Sequence, residues 1–86
     1  IIDVRKESLF KKGHIKYAVN LPIFKTMFDK NYMMPKLDRL KDIFSNSGID
    51  NQTLVVVYGN NQLIWAARFY WIGKVLGLKN IGILKV

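Results

Sequence analysis

Cysteine is absent from the 86 residues. This excludes disulfides, thiolate metal sites and any chemistry whose nucleophile is a thiol on this chain. Histidine occurs once, at His14, so with no cysteine beside it the chain offers neither a metal-ligand set nor a nucleophile–histidine dyad. Acidic residues are scarce, 6 against 14 Lys and Arg, for a net charge of +8. No apolar run reaches the roughly 20 residues of a membrane-spanning helix. The longest, around Leu63–Leu76, is interrupted by Arg68 and Lys74. The charged, then apolar, then small layout of a secretory signal is also missing. There is no repeat, low-complexity tract or linker. We expect no membrane partner, no metal and no cofactor; the absence of cysteine does not fix the compartment, and the expected setting is cytoplasmic.

What is present is a core. Half the residues are hydrophobic and 13% are aromatic, a composition opposite to that of disordered chains. Eighty-six residues suffice for one small domain with a modest interior. The basic excess is spread out, with ten basic against five acidic residues in the first 43 and four against one in the last 43. Such a field attracts anions, but diffuse lysines without a recognition motif do not specify nucleic acid.

Apolar patterning alternates short strands with helices, which implies an α/β domain with a mainly parallel sheet. Strands are predicted at 1–4, 18–21, 53–58 and 80–84. The first reads as a strand covered on both faces, and Thr53–Tyr58 is rich in β-branched residues. A short helical turn is expected over 6–12, ended by Gly13. The aromatic and Met-rich stretch from Phe24 to Met33 leaves room for a short helix. Leu37, Leu40, Ile43 and Phe44 share one face of a helix predicted over 36–46, with Pro35 at its start. A helix over 63–76, stopped at Gly77, is expected to be buried on most sides. Because residues 1–4 and 81–86 both read as strand, the domain is expected to be incomplete at both ends.

Asp3-Val4-Arg5, Gly13-His14-Ile15 and Ala18-Val19-Asn20-Leu21-Pro22 occur in that order, followed by the 53–58 strand, Ala66-Ala67-Arg68 and Leu76-Gly77-Leu78-Lys79-Asn80-Ile81. Together these resemble a rhodanese-like sulfurtransferase domain over nearly the whole chain. In active members the residue after the 53–58 strand is the catalytic cysteine. The backbone N–H groups of its loop and the following helix N-terminus stabilise a thiolate and an anionic persulfide. Here that residue is Gly59, and Asn60, Asn61 and Gln62 supply no replacement. The resemblance therefore implies a degenerate active-site loop at Gly59, Asn60, Asn61 and Gln62 and no catalytic residue in this chain.

The longer loop, Arg68 with Trp71, and the long 23–35 connection are similar to the N-terminal, non-catalytic half of tandem thiosulfate or 3-mercaptopyruvate sulfurtransferases. That implies a second, catalytic rhodanese domain beyond Val86 as partner, binding most of the small sulfur donor. Ile64 and Trp65 would either wall the partner's cleft or fill this domain's own core. Asp3 and Arg5 are expected to be a structural ion pair rather than a catalytic one. His14 would fix local backbone, and Arg68 would find a salt bridge or carbonyl. The alternative is a stand-alone inactive module for protein docking, with Phe24–Pro35 as its docking face.

Overall fold

The computed structural model describes residues 1–60 and 63–84. Four short strands, β1 (Ile2–Asp3), β2 (Val19–Asn20), β3 (Val55–Tyr58) and β4 (Ile81–Ile83), form one sheet in the order β2-β1-β3-β4. Every pairing is parallel. Four helices flank it: α1 (Glu7–Lys12), α2 (Ile23–Thr26), α3 (Leu37–Asn46) and α4 (Ile64–Val75). Parallel neighbours need crossover connections, and the helices supply them. The α/β class and parallel sheet expected from the alternating pattern are what the chain forms.

The strands are shorter than predicted, although ladder hydrogen bonds reach the residues flanking them: the N–H groups of Val19 and Leu21 donate to the Ile1 and Asp3 carbonyls, and those of Val4 and Leu84 to the Tyr58 and Val57 carbonyls. Ile2 faces both Val19 and Val57, and Asp3 faces both Asn20 and Tyr58. Side chains alternate across a sheet. Ile2, Val4, Val55 and Val57 therefore point to one face, where they join Leu40 and Phe44 of α3 and Ala66, Phe69 and Ile72 of α4 in a single buried cluster. The Phe44 and Phe69 rings stack with centroids 5.4 Å apart, locking α3 to α4. Met27, from the connection after α2, is fully buried in the same cluster.

The first strand is covered on both faces, as its sequence implies, with Ile2 and Asp3 both buried, whereas β3 is less enclosed on the face opposite the cluster. Val56 is half-buried, and Leu54, just before β3, is 72% exposed. Cover there is concentrated over Asp3 and Tyr58. Helix α4 is also less enclosed than its apolar sequence suggests. Ala66, Phe69, Ile72 and Gly73 are buried, but Ile64, Trp71 and Val75 are exposed. At positions i, i+7 and i+11 these three lie on one stripe turned from the sheet. In α3, Leu37 likewise falls outside the buried face formed by Leu40 and Phe44.

Gly73 is the one glycine inside a helix. A Cβ built there would lie 2.8 Å from Ile81 Cδ1 and 3.1 Å from Leu78 Cδ1. Its missing side chain lets α4 sit close against the segment leading into β4. No described helix is long and apolar enough to cross a membrane.

Candidate functional site

The chain leaves β1 toward β2 on one side and β3 toward β4 on the other. The strand order thus reverses between β1 and β3, and open α/β sheets bind ligands beyond the carboxyl ends of their strands at such a point. A crevice of about 390 Å³ lies there. It is lined by Val4 to Ser8 after β1, Pro22 to Lys25 after β2, Gly59 and Asn60 after β3, and Trp65 in the first turn of α4. Its surface is mainly apolar, with Arg5, Lys6, Lys25 and Glu7 as the charged groups.

Behind the crevice stands a buried polar network. Asp3 is completely buried. Its Oδ1 accepts from the Arg5 backbone N–H at 2.8 Å and from Arg5 Nε at 3.1 Å. Its Oδ2 accepts from Arg5 Nε at 3.1 Å, Arg5 Nη2 at 2.8 Å and the Tyr58 hydroxyl at 2.7 Å. Arg5 Nη2 also donates to the Gly13 carbonyl at 2.6 Å. The Ile15 N–H donates to the Tyr58 hydroxyl at 3.1 Å. Asn20 Nδ2 donates to the carbonyls of Asp3 at 2.9 Å and Arg5 at 3.0 Å.

A buried carboxylate is tolerated when it is paired and hydrogen-bonded. Burial alone raises the Asp3 pKa, but the Arg5 side chain and N–H and the Tyr58 hydroxyl outweigh it and hold the carboxyl below its ordinary value of 3.8. The same pairing raises Arg5 further above its usual value. Burial, with the Asp3 contact, pushes the Tyr58 phenol up, against the opposing Ile15 N–H. Arg5 is thereby committed to structure. It binds Asp3 and Gly13 and sits over the Tyr58 ring at 5.6 Å, so it is a poor candidate for holding a substrate.

His14 lies outside this network. Its ring stacks on Phe10 at 3.8 Å, and Nδ1 is 2.9 Å from the Ile15 carbonyl. A carbonyl only accepts, so this bond requires the proton on Nδ1. Trp65 lines the crevice, half-buried, with its ring edge-on to Phe24 at 4.8 Å and to Phe28 at 6.1 Å. Ile64 is 59% exposed and lines neither the crevice nor the core. Gly59 forms part of the crevice lining beside Val4, and a Cβ there would stand 3.2 Å from Val4 Cγ2. Asn60 lines the crevice mouth and is exposed. Asn61 and Gln62 lie outside the described residues.

Arg68 differs from the expected salt bridge or carbonyl contact. The ion pairs among the described residues are Asp3–Arg5, Glu7–Lys11 and Glu7–Lys25. The Arg68 guanidinium instead lies over Phe28 at 4.5 Å and near Trp71 at 5.7 Å, with its buried Nε lacking a hydrogen-bond partner. Stacking on aromatic faces is the alternative the planar guanidinium allows.

Two network members were not singled out from the sequence. Tyr58 enters the sequence reading only as the last residue of the 53–58 strand, and Asn20 only as part of the Ala18–Pro22 motif. No local sequence signal marks them, because the Asp3–Tyr58 juxtaposition is set by the pairing of β1 with β3; once paired, a tyrosine beside a buried aspartate has a reason to turn its hydroxyl inward.

Among the described residues no group of three or more His, Asp and Glu side chains gathers as a metal ligand set. No curated protein matches the chain. The family model described as the rhodanese-like domain matches residues 1–85. That match spans the switch-point crevice, the Asp3–Arg5–Tyr58 network and the glycine after β3, and the chain therefore belongs to the rhodanese-like domain family.

Proposed function

We propose that this chain is the non-catalytic domain of a sulfurtransferase. Gly59 is the observation that carries this reading. It stands after β3 at the crevice, where a nucleophile would have to be presented, and the chain holds no thiol to take its place. Sulfane sulfur would pass from thiosulfate or 3-mercaptopyruvate to a thiophilic acceptor through a cysteine on a second rhodanese domain of the same protein. With thiosulfate, that thiolate attacks the outer sulfur, the donor S–S bond breaks, and sulfite leaves with the electron pair. The acceptor then takes the outer sulfur of the persulfide and the thiolate is restored. This chain contributes scaffold and, through Trp65, an apolar wall that keeps water from the persulfide.

The test is a thiosulfate:cyanide and a mercaptopyruvate assay on the full-length protein that contains this chain. Activity that falls in a folded Trp65→Ala variant supports the reading. Absence of both activities overturns it.

A second reading has an observation of its own. Tyr32 and Met33 are 77% and 65% exposed, and Phe24 is also exposed. The 24–35 connection thus presents the kind of side chains enriched at protein interfaces. An inactive docking module is what remains if the full-length protein transfers no sulfur.

A further inference from the structure

The lining of the crevice has a definite chemistry. Its walls are apolar and partly flat. Phe24 is exposed and Trp65 is half-buried, meeting at nearly 5 Å, with Pro22 and Ile23 beside them. A dry cavity of about 150 Å³ accepts a single benzene ring, so about 390 Å³ holds a ring with a short substituent and falls within the range of small-molecule sites.

The charge of the lining is equally specific. Arg5 is neutralised by Asp3 and occupied at Gly13. Glu7 lies 3.0 Å from Lys11 and 3.8 Å from Lys25. Lys6 has no carboxylate partner among the described residues. The lining therefore offers two lysines against one glutamate, a surplus of one positive charge beside an apolar wall. The chain holds no thiol, so no persulfide forms in this crevice.

We propose that the crevice is a reversible binding site for a small organic monoanion with an aromatic body, its ring against Phe24 and Trp65 and its anionic group toward Lys6 and Lys25. This deepens the non-catalytic reading and rests on it to the extent that the crevice performs no chemistry of its own. A site of this kind makes the domain responsive to a metabolite while the chemistry proceeds elsewhere.

Phenylacetate is the probe and 2-phenylethanol its neutral counterpart, titrated into the full-length protein and followed by NMR at the indole N–H signals of Trp65 and Trp71, assigned with Trp65→Phe and Trp71→Phe. The expected result is a saturable shift of the Trp65 signal by phenylacetate, weaker binding of 2-phenylethanol, and a Trp71 signal that stays in place. Replacing both lysines (Lys6→Gln with Lys25→Gln) weakens phenylacetate by roughly threefold to tenfold, the scale of two exposed charge contacts. Glu7→Gln strengthens it, because the opposing charge is gone and Lys25 is released. All three are surface changes that leave the core intact.

Equal binding of 2-phenylethanol, or an unchanged affinity in the lysine double variant, overturns the anion preference and with it the proposal. So does the absence of a Trp65 shift at millimolar phenylacetate. Sulfur-transfer turnover, measured separately with no phenylacetate present, reports on the sulfurtransferase reading alone, so either can fail without the other.

Discussion

The hydroxyl of Tyr58 donates a 2.7 Å hydrogen bond to Oδ2 of Asp3, joining two residues 55 positions apart. Their Cα atoms are direct partners in the parallel pairing of β1 with β3, so the side chains leave the same face of the sheet. The same hydroxyl accepts from the Ile15 N–H. One oxygen atom thus fastens the loop after α1 to the two central strands. Arg5, bound to the same carboxylate, is the network member that lines the crevice.

Tyr58→Phe removes that oxygen while keeping the ring. Asp3 loses one charge-assisted donor and the Ile15 N–H loses its acceptor. Hydrogen bonds to charged groups contribute about 1.5–3 kcal/mol, so we expect a loss of about 2 kcal/mol in urea unfolding with little change in m. A loss below about 0.5 kcal/mol would show that the loop is held by Arg5 and Gly13 alone.

Acid should release the same network. The folded-state pKa of Asp3 lies below its ordinary value of 3.8, so the folded protein binds this proton less readily than the unfolded chain. Its contribution to stability is complete above that ordinary value and is lost as the pH falls through the folded value. Asp3→Asn cannot ionise. The stability gap between wild type and Asp3→Asn should therefore be widest near neutrality and narrow in acid, as read from unfolding curves between pH 7 and pH 2.5. A gap independent of pH would mean that Asp3 is not the carboxylate responsible.

Gly73→Ala tests the approach of α4 to β4. Alanine favours a helix interior by up to about 1 kcal/mol, but its Cβ would meet Ile81 and Leu78 at 2.8 and 3.1 Å. Overpacking typically costs about 1–3 kcal/mol, and the contacts fall on methyl tips that shift only within a packed core. A net destabilisation of about 1 kcal/mol is expected from thermal or urea unfolding. Stabilisation would show that those two side chains yield freely.

Arg68→Leu separates aromatic stacking from an ion pair. Breaking a buried pair costs about 3–5 kcal/mol. Arg68 has no such partner among the described residues and buries an unsatisfied Nε. Leucine keeps contact with Phe28 and Trp71 and removes that unsatisfied group, so the change in unfolding free energy should stay within about 1 kcal/mol. A loss of several kcal/mol would restore the ion-pair expectation.

Element type was legible wherever periodicity and turn residues agreed. Leu40 and Phe44 are buried on α3 as their spacing requires, and Val55 and Val57 alternate inward on β3. Boundaries were less legible, because a strand ends where its neighbours stop pairing, and that depends on other strands. The degree of cover was not legible either. Apolar sequence at Leu54, Ile64, Trp71 and Val75 reads like core, yet all four are exposed, Leu54 because the sheet is less covered on its side and the other three because they lie on the stripe of α4 turned from the sheet.

By itself the sequence determined the α/β alternation, the basic charge, and the absence of a thiol where this fold would present one. Each is a local property, set by residue identity and spacing. Tertiary structure decided the rest. Strand order placed Gly59 and Val4 side by side at a switch point, register brought the Tyr58 hydroxyl to Asp3, and the turn after β2 set Phe24 against Trp65 to wall the crevice. Those relations join residues far apart in the chain, and only the parallel pairing of β1 with both β2 and β3 brings them together.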